Sequence, residues 1–194
     1  MKFATTVALL AATTQALDSG WGPTFSVAKD ANDATKQVWT VEVPANKYLI
    51  IAFGEAHDEK VDMMYFAGKS SDNCWDMHGK EGTIPTRDAA DKRNLECTVT
   101  GSGPYKFTVK RKLNTGDTTS PDKVLECGKT LEIEYMGSDT TAELQATPTK
   151  HGAANYALDA SCVATLTMKE EKKESAMSKI IGAASVLAAT YSLF

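Results

Sequence analysis

The sequence predicts an all-β fold, an antiparallel immunoglobulin-like β-sandwich. Three features carry that expectation: short runs of β-branched and aromatic residues, turn chemistry at intervals of roughly ten residues, and no long apolar stripe of helical period. Strands are expected at 24–27, 37–43, 47–53, 62–66, 95–99, 105–113, 131–135 and 161–168. In Val38-Trp39-Thr40-Val41-Glu42-Val43 and Tyr105-Lys106-Phe107-Thr108-Val109-Lys110, apolar and polar side chains alternate with period two, so each strand buries one face and wets the other. Pro44-Ala45-Asn46, Gly101-Ser102-Gly103-Pro104, Asn114-Thr115-Gly116-Asp117, Ser120-Pro121-Asp122 and Cys127-Gly128 supply the turns. There is no room between runs for the crossover helices of a parallel sheet. Residues 70–94 show no clear period and are expected to form an irregular connection, tied down by a disulfide and able to carry a ligand site.

With 194 residues, 42% of them hydrophobic, the chain has the material for one ordinary domain. Its net charge of −4 and the lack of a basic stripe argue against binding nucleic acid, which needs clustered Lys and Arg. The ends read separately from the domain. Residues 1–16 combine one Lys, an apolar run and the small-residue triplet Thr14-Gln15-Ala16, the layout of a secretory signal peptide. Residues 17–169 form the domain, 170–179 a charged linker, and 180–194 a hydrophobic tail. At 15 residues the tail is shorter than the ~20 of a comfortable span, so a lipid-anchor signal is favoured over a short membrane helix. The expected location is therefore outside the cell, held to the surface membrane at the C-terminus.

Cys74, Cys97, Cys127 and Cys162 are an even set in a secreted context and allow three pairings. Sequential closure favours Cys74 with Cys97 and Cys127 with Cys162. No C-x-x-C pair supports a zinc or thiol-redox site. An enzyme is not expected: the chain has no G-x-S-x-G, Walker or H-E-x-x-H motif, and only three His. Asp88, Asp91, Asp117 and Asp122 sit in turn contexts that suit capping, and without an EF-hand loop a Ca²⁺ site is a minor reading. Arg111 is placed to pair with Asp117 or Asp122 and pin that connection.

The remaining chemistry lies in imidazole and thioether groups: His57, Met63, Met64 and His151. Haem iron takes His/Met or His/His axial pairs from two distant segments flanking an apolar pocket. Phe53, Tyr65 and Phe66 lie near the first of these segments.

The order of motifs resembles the DOMON family. It runs through Lys47-Tyr48-Leu49-Ile50-Ile51-Ala52-Phe53-Gly54, Asp62-Met63-Met64-Tyr65-Phe66, Asp72 with Trp75-Asp76, and Pro85 with Asp88. Arg111-Lys112-Leu113-Asn114-Thr115-Gly116-Asp117 with Asp122 and a late Lys150-His151-Gly152 complete it. The resemblance is to the group related to the non-catalytic domains of copper monooxygenases and to haem-binding cytochrome domains. It implies an extracellular sandwich that binds haem b or a carbohydrate-like ligand and serves as a redox or adhesion module. His151 matches the family's later axial ligand. The loop expected to supply the earlier ligand carries His57 where the family has Met, and Met63 or Met64 is the substitute. The alternative expectation is a carbohydrate-binding or adhesion module, or a surface protein partner, with Trp39 and Trp75 as exposed stacking platforms.

Overall fold

Alternation along the chain translates directly into two layers. The computed structural model describes residues 16–54, 60–79, 84–89, 94–116, 122–145 and 148–169. Among these, β1 (Leu17–Asp18), β2 (Thr24–Lys29), β3 (Lys36–Val43), β9 (Tyr105–Lys112) and β8 (Leu95–Thr100) pair in the order β1-β2-β3-β9-β8. The second sheet has the order β12-β11-β10-β4-β5-β6-β7. Its members are β4 (Tyr48–Ala52), β5 (Asp62–Ala67), β6 (Cys74–His78), β7 (Thr86–Arg87), β10 (Thr130–Ser138), β11 (Lys150–Leu158) and β12 (Ala164–Met168). Every pairing is antiparallel, and the described residues contain no helix.

The expected sandwich is borne out, and its core follows the period-two pattern. Phe25, Val27, Trp39, Val41, Phe107 and Val109 from the smaller sheet meet Leu49, Ile51, Met64, Phe66, Ile133 and Tyr156 from the larger. At the centre Trp39 stacks on Tyr156 at 5.4 Å and meets Phe53 edge-on at 5.7 Å. Disulfides join Cys74 to Cys97, linking β6 to β8 across the two sheets, and Cys127 to Cys162, as expected.

The eight expected strands are present with shifted ends. The last begins at Ala164 because Cys162 takes a positive φ of 61° in the preceding turn. Four strands were not anticipated: β1, β6, β7 and β11. Residues 70–94, expected to be irregular, carry β6 and β7, since Cys74 to His78 pair with Asp62 to Phe66. The expected signal peptide up to residue 15, the linker, the tail and His57 lie outside the described residues.

Candidate functional site

The larger sheet has a second buried face, directed away from the smaller sheet. His151 on β11 is opposite Met136 on β10, Met136 is opposite Ile50 on β4, Ile50 opposite Tyr65 on β5, and Tyr65 opposite Trp75 on β6. Paired residues share a face, so these five side chains form one row across the outer face. The neighbouring row holds Ala52, Met63 and Met77. Tyr48, Ile50, Met63, Tyr65, Met77 and Met136 are all buried there, with Ala142 and Leu144 of the β10–β11 connection packed over them. The Tyr65 hydroxyl donates to the Ala142 carbonyl at 2.7 Å. Burial pushes the Tyr48 phenol up to about 12 and the Tyr65 phenol above its ordinary value, so both stay protonated.

This arrangement sorts the residues singled out from the sequence. His151 is exposed at the rim of the face, where its Nε2–H donates to the Pro148 carbonyl at 2.9 Å. Met63 shares that face and is 1% exposed. Met64 points the other way, into the core between the sheets, and is not brought together with His151. Met77 and Met136 join the face without having been anticipated; alternation along β6 and β10 is the signal that could have found them.

The expected stacking platforms fare differently. Trp39 is fully buried in the core and is no platform, because its position on β3 points it inward. Trp75 is half-buried. Its Nε1–H donates to Asp72, Tyr65 lies 4.8 Å beneath it, and the Arg87 guanidinium covers the ring at 4.8 Å.

At one end of the sandwich, between the sheets, is a cluster of charged groups. Asp62 on β5 and Asp76 on β6 point inward, and Arg111 on β9 reaches them from the opposite sheet. Arg111 pairs with Asp62, donates to the carbonyls of Lys112 and Lys123, and stacks over Phe53 at 4.5 Å. The direct partner of Arg111 is thus Asp62 rather than the expected Asp122, on which Arg111 acts only through its charge, while Asp117 lies outside the described residues. Asp122 instead accepts from the Asn94 side chain at 2.7 Å. The Asn94 backbone N–H donates to Asp76 at 2.6 Å, and the Lys123 N–H donates to Asp62 at 2.8 Å. Asp88, expected to be a turn cap, is buried and accepts from His78 Nδ1.

Burial, with Asp62, Asp122 and Asp88 nearby, pushes the Asp76 carboxyl up to about 7 against the donation from Asn94. Burial also raises Asp122. Oxygens of Asp62, Asp76 and Asp122 lie within 4.8 Å of one another, a donor set of the kind hard cations accept, with Arg111 already supplying one positive charge.

No protein-family model matches the chain, and no curated protein matches it. Among solved structures, the fold is similar to the cytochrome domain of Myriococcum thermophilum cellobiose dehydrogenase. The TM-score is 0.52 at 15% identity, over 76% of this chain and 83% of that one. The cytochrome b domain of pyranose dehydrogenase from Coprinopsis cinerea also matches, with a TM-score of 0.45 at 12% identity over 69% and 74% of the two chains. The sandwich expected from the sequence is borne out, as a fold similar to that of a cytochrome domain.

Proposed function

We propose that the chain is an extracellular, surface-anchored DOMON-like module that binds haem b for one-electron transfer, with His151 and His57 as the residues that would hold it. One observation carries the proposal: an imidazole, His151, stands at the rim of a buried face built from Ile50, Met63, Tyr65, Met77 and Met136. The residue types suit the group, apolar and thioether side chains for a macrocycle and an imidazole for its iron, and binding would require Ala142 and Leu144 to be displaced from the face they cover. The fold shared with a cytochrome domain supports the same assignment. When bound, haem b would supply a one-electron iron couple.

The chain's own residues would then have defined tasks. His151 would hold the iron through Nε2 and would have to give up its hydrogen bond to the Pro148 carbonyl to do so. The segment carrying His57 starts and ends at the β4–β5 junction, between Gly54 and Lys60. Met63 is the substitute partner, because it shares the face of His151, whereas Met64 faces the core. The buried Tyr48 and Tyr65 phenols keep their protons and add no anionic charge beside the group. Residues 1–16 direct export and residues 180–194 hold the domain at the membrane, in keeping with two disulfides that persist in an oxidising compartment.

A visible spectrum of the protein produced with haem supply tests this. A Soret band and a sharp reduced α-band are expected. His151→Ala removes the six-coordinate signature, and His57→Ala removes it too, unless Met63 is the partner. A bis-His site would have a lower potential than a His/Met site. A folded, colourless protein that cannot be reconstituted, or spectra unchanged in both variants, would sink the assignment.

A further inference from the structure

A cavity of about 290 Å³ opens at the edge of the core, away from the outer face that carries His151. Leu125, Leu131, Leu158 and Tyr156 form an apolar wall, and Lys123, Glu126, Lys129 and Thr130 add polar surface of similar extent. Lys123 and Lys129 stand at its exposed rim. The size is at the lower end of the range of small-molecule sites.

The walls are fixed from several sides. Lys123 is held by its backbone, accepting from Arg111 and donating to Asp62. The Leu125 N–H donates to the Leu113 carbonyl at 2.7 Å, and the Leu158 N–H to the Lys129 carbonyl at 2.9 Å. The Cys127–Cys162 disulfide ties the turn before β10 to the turn before β12. Such a pocket is preformed, so a ligand would not have to order the chain around it.

The charges at the rim bear on the ligand. At the rim, Lys123 and Lys129 form no ion pair among the described residues, while Glu126 contributes a single opposing charge. The rim is net positive beside an apolar wall.

We propose that this pocket binds a small apolar carboxylate, its hydrocarbon part on Leu125, Leu131 and Leu158 and its carboxylate at Lys123 and Lys129. The proposal does not depend on haem. The probes are octanoate, octan-1-ol and octylammonium, titrated into the folded protein and followed through leucine methyl resonances. Octanoate should give saturable shifts confined to Leu125, Leu131 and Leu158, with octan-1-ol weaker and octylammonium weakest. Exposed charge pairs contribute modestly, so Lys123→Gln with Lys129→Gln should weaken octanoate about 3- to 10-fold and leave octan-1-ol unchanged. Val124→Trp places bulk at the mouth from a residue 47% exposed, and should block all three probes without disturbing the core. Equal affinity for octanoate and octylammonium, no loss in the double variant, or no saturation below about 10 mM would overturn the proposal.

Discussion

Asp76→Asn should change how stability depends on pH. The Asp76 carboxyl is 3% exposed, accepts from the Asn94 N–H, and faces Asp62, Asp122 and Asp88. Burial first and these carboxylates second raise it from 3.8 to about 7. The folded protein thus holds this proton more tightly than the unfolded chain does. The resulting stabilisation is complete below about pH 4 and is lost as pH rises through about 7. A shift of about three units at 1.36 kcal/mol each sets a ceiling of about 4 kcal/mol, and an effect of about 2–4 kcal/mol is expected once local relaxation is allowed.

Asparagine is neutral at every pH. Its carbonyl can still accept from Asn94, and its amide N–H groups can donate toward Asp62 and Asp122. Urea unfolding of both proteins between pH 4 and 8, with a chelator present to exclude stray cations, measures the difference. The wild type should lose stability across that range. The variant should lose about 2–4 kcal/mol less and be the more stable protein at pH 8. His78 and Arg111 are present in both proteins and drop out of the comparison. Identical pH slopes would refute the assignment of Asp76 as the proton-holding group.

The buried pair gives a second test. Arg111→Met leaves Asp62 without its cation and should cost about 3–5 kcal/mol, whereas Arg111→Met with Asp62→Leu should recover most of that loss. Denaturant unfolding of both reads the difference, and equal losses would show that the charge of Asp62 is not what matters. Removing the cross-sheet disulfide by Cys74→Ser with Cys97→Ser opens a loop with a sequence separation of 23 and should cost about 3 kcal/mol. A loss under about 1 kcal/mol would mean that the unfolded chain is not meaningfully constrained by this link.

Legibility in the sequence followed the strength of the alternation. β3 and β9 read clearly because Trp39, Val41, Phe107 and Val109 alternate with polar residues. β11 was missed because Gly152, Ala153, Ala154 and Ala157 lack the bulk that marks a strand, although Ala154, Tyr156 and Leu158 do alternate as buried positions. β6 and β7 are hidden by polar residues whose purpose is visible only in three dimensions: His78 and Asp76 point between the sheets toward partners ten and eighteen residues away in sequence. The same long-range pairing hid the partner of Arg111. Asp62, 49 residues earlier, reads locally as the first residue of a strand. Met63 and Met64 were offered as equivalent ligands, but adjacent residues on a strand face opposite sides, and only Met63 shares a face with His151.

That alternation links the two sites mechanically. On β5 and β6 an inward charged residue is followed by an outward methionine: Asp62 then Met63, Asp76 then Met77. Sliding either strand by one residue would turn the carboxylate onto the apolar outer face and the methionine into the charged cluster. Either move leaves a buried carboxyl without its partner, Arg111 for Asp62 or the Asn94 N–H for Asp76. A hydrophobic pair in place of Arg111 and Asp62 could match the stability of the native pair but would not penalise such a slip, because Leu and Met are interchangeable between two apolar faces. The charged cluster therefore contributes register more than stability. Register is what keeps Met63 and Met77 on the outer face, within the patch rimmed by His151.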